Sequence, residues 1–80
     1  MPEDKKLQIK SLEEMIQGVL LAIPREVSAR QFYLGLAGKA ISDESRNLFV
    51  TLAEQEKGHE AELRRIIGEL KNDLEELKKQ

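Results

Sequence analysis

Apolar residues recur along this chain at intervals of three and four, the spacing that keeps them on one face of an α-helix. In the first half they fall at Leu12, Ile16, Val19, Leu20, Ile23, Val27, Leu34, Ala37 and Ile41. In the second half they fall at Leu48, Phe49, Leu52, Leu63, Ile66, Ile67, Leu70, Leu74 and Leu77, with charged residues filling most other positions. The pattern predicts two long helices, over about residues 8–41 and 43–78, within a hairpin that occupies residues 7–80. Residues 1–6 are expected to be disordered. Ser42 and Asp43 can each cap the second helix by accepting from its free N–H groups, and Glu44 suits the positive end of the helix dipole. A link this short makes the helices antiparallel neighbours.

Pro24 interrupts the first helix. Proline removes one helical hydrogen bond and crowds the preceding turn. The apolar stripe passes through it without a change of phase, which predicts a kink in one helix rather than a break between two. Each helix is then roughly 30 residues, about 45 Å long. A single hairpin covers only part of two apolar stripes of that length, so the expected architecture is all-α: two hairpins pairing into a four-helix bundle.

Composition narrows the chemistry. There is no Cys, which excludes disulfides and thiolate metal sites among these 80 residues. A small domain without them needs a partner or another kind of metal. The net charge of −2, with both signs interspersed, lacks the basic face of a nucleic-acid binder. The apolar run from Val19 to Ile23 is too short to span a bilayer, and no targeting segment is evident, so the sequence predicts a cytoplasmic protein without nucleic-acid or membrane partners.

Within the stripes, four positions break the apolar rule: Glu26, Arg30, Glu56 and His59. On the second helix the seam runs Phe49, Leu52, Glu56, His59, Leu63, and on the first it runs Val19, Ile23, Glu26, Arg30, Tyr33. Glu26 lies about sixteen residues before the turn and His59 about sixteen after it, so equal rise on both arms brings them to one level. A buried bare carboxylate costs several kcal/mol, and two close together repel. Arg30 can neutralise one of them; a divalent metal neutralises more and uses the imidazole too. A two-fold axis doubles the layer to four Glu and two His, which balances two divalent ions in the ferritin-like di-iron pattern. Two simpler readings stand beside this one. Glu-x-x-His is common in helices and its His can be a hydrogen-bonded core residue. The polar layer can also be a specificity device in a non-catalytic assembly module. Arg30 reads as a snorkelling or interface ion-pair residue, Glu60 and Glu62 as solvated, with Glu62 close enough in sequence for a transient iron site. Gly58, mid-helix, either permits close helix approach or does nothing.

The segments Glu26-Val27-Ser28-Ala29-Arg30-Gln31-Phe32-Tyr33, Leu48-Phe49 and Ala53-Glu54-Gln55-Glu56-Lys57-Gly58-His59 resemble rubrerythrin and its ferritin-like relatives, over about Ile16 to Ile67. Rubrerythrins carry two such halves in one chain together with a Cys-ligated centre. The single half seen here is more similar to encapsulated ferritins and the ferritin-like proteins associated with encapsulin shells. The resemblance implies a homodimer, with a ring of dimers and an encapsulin shell as further partners. It implies Glu26, Glu56 and His59 as iron ligands and catalytic residues, with Glu56 bridging two irons and Tyr33 hydrogen-bonding a ligand carboxylate. The implied activity is a di-iron ferroxidase that oxidises Fe(II) to Fe(III) for iron storage or detoxification. Mn or Zn can substitute as ligands' partners, though Zn cannot cycle electrons. Rubrerythrin-like peroxide reduction is the alternative within the same resemblance.

Overall fold

A computed structural model describes residues 2–80 and consists of two α-helices, α1 (Pro2–Lys39) and α2 (Asp43–Lys79), folded back on each other. The all-α hairpin expected from the periodicity is present. Its boundaries differ at two places. Residues 2–6, expected to be disordered, form the first turns of α1, while Met1 lies outside the described residues. At the other end α1 stops at Lys39, two residues before the expected limit. Ile41, counted by spacing into the apolar stripe, therefore sits in the turn and is fully exposed.

The turn is closed by local hydrogen bonds. The Ala40 N–H donates to the Ala37 carbonyl at 3.2 Å, tightening the end of α1. Ser42 is extended (φ −118°, ψ 151°), and its hydroxyl oxygen accepts from the Ser45 N–H at 3.1 Å, the arrangement of a helix N-cap. Asp43 and Glu44 occupy the first turn of α2, with Lys78 and Lys79 in the last, each sign matching the dipole at its end. Arg46 joins the two sides of the turn by donating to Asp43 at 2.8 Å and to the Ala40 carbonyl at 3.2 Å. Pro24 lies inside an uninterrupted α1, so the chain does not break there.

The seam between the helices is narrow. Its buried side chains among the described residues are Ile16, Ile23 and Ala37 from α1 and Ala53, Ile67 and Leu70 from α2. Small Ala37 and Ala53 let the backbones approach where larger residues would hold them apart. The molecule measures 62 × 14 × 12 Å with a radius of gyration of 18.2 Å; a compact chain of this length would have about 12 Å. A rod of two helices has no interior beyond the seam. Met15, Leu48 and other large apolar side chains remain exposed in consequence. No helix among the described residues is long and apolar enough to cross a membrane.

Candidate metal centre

Glu26 comes from the middle of α1, and Glu56 and His59 from the middle of α2. Three residues on one helix span nearly a full turn, so Glu56 and His59 share a face. The hairpin sets Glu26 opposite them. The His59 Nδ1 lies 3.5 Å from an Oε2 of both Glu26 and Glu56. One donor atom from each of the three residues falls within 4.8 Å of the other two. The three side chains named by seam phase and register are thus brought together by the fold.

Their environments differ. The carboxylates are largely covered, with Glu26 25 % and Glu56 20 % exposed, whereas the His59 side chain is 62 % exposed. The Glu26 Oε2 is buried and has no hydrogen-bond partner. A covered carboxylate oxygen without a hydrogen bond carries part of the desolvation cost of a buried charge, which a bound cation offsets. At ligand bonds of about 2.0–2.2 Å, two donors on one ion stand about 3–4.4 Å apart. The observed cluster fits that spacing with little movement. Oxygen and imidazole donors without sulfur suit iron or manganese, and also accommodate zinc.

On the seam next to this cluster lies an ion pair. The Arg30 Nη1 donates to Glu60 Oε1 at 2.9 Å, and the Arg64 Nε donates to Glu60 Oε2 at 3.0 Å. The Glu60 side chain is only 16 % exposed, which corrects its expected place as a solvated residue. The signal for it was spacing: Glu56, Glu60 and Arg64 are each one turn apart, so Glu60 lies beside the seam and within reach of Arg64. The Arg64 hydrogen bond, followed by the charges of Arg30 and Arg64, outweighs desolvation and holds the Glu60 carboxyl below its ordinary value. Arg30 is the interface ion-pair residue the sequence suggested. Glu62 is exposed and is held in a fork with Glu69 by Arg65, whose hydrogen bond and charge lower the Glu62 pKa.

Tyr33 is half-buried two turns beyond Glu26, and its ring meets Phe32 edge-on at 5.7 Å. Within the hairpin the Tyr33 hydroxyl has no hydrogen-bond partner among the described residues, so the contact to a ligand carboxylate is not made inside one chain. A shallow groove lined by Leu34, Val50, Ala53, Glu54 and Lys57 beside Arg30 contains none of the three donors. At Gly58 a Cβ would meet open space, so the glycine is not needed for close approach between α1 and α2.

A sequence model of the family described as Rubrerythrin matches residues 19–80. The matched stretch contains Glu26, Tyr33, Glu56 and His59. No curated protein and no solved structure matches the chain.

Proposed function

The chain belongs to the rubrerythrin family, a ferritin-like di-iron family, and from that premise we propose that it is a ferroxidase whose centre is shared between two protomers. The observation that carries this reading is the convergence of Glu26, Glu56 and His59 around a buried, unpartnered carboxylate oxygen. One hairpin offers three donor residues, too few to hold a pair of ions. Its open face also carries exposed or half-buried apolar side chains in phase with the donors, including Met15, Leu48, Leu52 and Ile66. A second copy laid on that face by a two-fold axis covers them and doubles the donors to four carboxylates and two imidazoles.

Glu26, Glu56 and His59 would then hold the metal, each through one donor atom of the cluster. Iron held there would supply the redox chemistry, with O2 or peroxide as the oxidant, while these residues fix geometry and charge. The carboxylates balance the positive charge in an apolar surround. An imidazole binds a metal through the same lone pair that takes a proton, so metal and proton compete for His59. Tyr33, without a hydrogen-bond partner among the described residues, would donate its hydroxyl to a carboxylate of the assembled site.

The test is anaerobic loading of the chain with Fe(II), followed by oxygen, watched for a di-ferric absorbance and compared with His59→Ala. Sedimentation with and without Fe(II) is run on the same samples. The expected result is rapid oxidation by the wild type alone and a tighter dimer with metal, because ligands shared across an interface favour association. No bound metal on elemental analysis, with an unchanged monomer–dimer balance, would refute the reading.

A further inference from the structure

Arg30 follows Glu26 by one helical turn on the same face of α1. Side chains on a helix lean toward its N-terminus, so the Arg30 guanidinium extends toward the level of Glu26. An Arg four residues from a half-buried Glu is an ordinary ion pair, and the Glu26 Oε2 is buried with no partner. The pair is nevertheless not made. Arg30 instead donates across the seam to Glu60, in the one side-chain hydrogen bond between α1 and α2 among the described residues. Glu60 is itself fixed from the other side by Arg64.

We propose that Glu60 is a positioning residue that holds Arg30 away from Glu26, keeping that carboxylate free for metal. The inference rests on the di-metal reading of Glu26, Glu56 and His59. It follows from competition: a guanidinium on Glu26 would occupy the same oxygen lone pairs that a metal uses, and its positive charge would oppose the ion. Glu60 satisfies Arg30 with a carboxylate that is not a donor of the cluster. Arg64 fixes Glu60 from the other side with a second charge-assisted hydrogen bond. The Arg30–Glu60 pair adds no net charge beside the centre.

A simple clamp between helices would leave a different signature, because a clamp fails equally when either partner is removed. If Glu60 acts by holding Arg30, Glu60→Ala releases the guanidinium onto Glu26, and removing Arg30 as well repairs the loss. Co(II), whose bound spectrum reports ligand geometry, is titrated into the full-length wild type, Glu60→Ala, Arg30→Met and the double variant, with folding checked by circular dichroism. Glu60→Ala is expected to bind Co(II) about tenfold more weakly, the effect of one competing charge-assisted hydrogen bond. Arg30→Met and the double variant should bind within about threefold of the wild type. Metal-free crystals of Glu60→Ala should show the Arg30 guanidinium within hydrogen-bond distance of the Glu26 carboxylate. Equal losses in Arg30→Met and Glu60→Ala, no recovery in the double variant, or an Arg30 that stays off Glu26 in those crystals would overturn the proposal. A wild type that takes up no Co(II) would remove the di-metal reading, and the position of Arg30 in the metal-free crystals would still decide the holding role.

Discussion

At the scale of single residues, the candidate centre trades fold stability for binding capacity. Glu26 places an unpartnered carboxylate oxygen in the seam. Changing Glu26 to Gln keeps the shape and removes the charge. The metal-free protein is expected to gain about 1 kcal/mol, a small part of the buried-charge penalty because the side chain is a quarter exposed. A domain of this size would melt about 4–8 °C higher for that gain. Metal uptake should be lost in the same variant. Thermal melts of metal-free protein and a Co(II) titration check the two halves separately; a Glu26→Gln protein that is less stable without metal would contradict the account. The convergence of the three donors is legible in sequence because it needs only helical phase and equal rise from a short turn. The role of Glu60 is harder to see. Phase puts it near the seam, but its pairing depends on how far Arg30 reaches across to α2, and spacing says nothing of side-chain reach between helices. Ile41 shows the opposite failure: it continues the period, yet the Ser42 cap and the tight Ala37–Ala40 bond end the helix before it.

At the scale of the helices, local chemistry decides length and ends while packing decides little. Gly58 has room for a Cβ and lies inside α2. Gly58→Ala should stabilise the protein by about 0.5–1 kcal/mol, since alanine costs less entropy in a helix. A Cβ there touches none of the three donors, so metal binding should be unchanged, and denaturant melts with a parallel Co(II) titration measure both. The charged network on α2 makes stability depend on acid. Glu60 has a folded pKa lowered from 4.5 by the Arg64 hydrogen bond first, and Glu62 is lowered by Arg65. A lowered carboxyl stabilises the fold above its unfolded value and loses that contribution as pH falls through the folded one. Melting temperature should therefore drop below about pH 4.5, and drop less in Glu60→Gln. The difference should shrink in 1 M salt, where exposed ion pairs are screened. The N-terminal extension of α1 to Pro2 belongs to this scale as well. Asp4, Lys5 and Lys6 have no apolar period, so pattern alone stops at Leu7, while the backbone continues the helix because nothing in those residues breaks it.

At the scale of the whole molecule, a 62 Å rod two helices wide leaves one apolar face in phase with the donors and other apolar residues behind α1. The two sides make a direct comparison. Leu52 lies near Glu56 on the donor face and is half-buried, whereas Leu21 is exposed on the far side of α1. A glutamate at position 52 should prevent pairing of hairpins and with it metal uptake. A glutamate at position 21 should leave both intact. Sedimentation and Co(II) binding on the two variants separate them, and uptake that survives Leu52→Glu would place the metal within a single chain. The fold class was open to sequence because two periodic stretches and one short turn allow little else. The pairing of copies is not a property of one hairpin's backbone; it is inferred from what the hairpin leaves uncovered.

The chain also carries its own reporters. It has one His and one Tyr and no Trp, and His59 and Tyr33 both belong to the region of the centre. In an imidazole proton spectrum every line therefore comes from position 59. One set of lines means that every protomer is equivalent, two sets mean an assembly with unlike halves, and the tyrosine emission reads the same event from the neighbouring helix without any label.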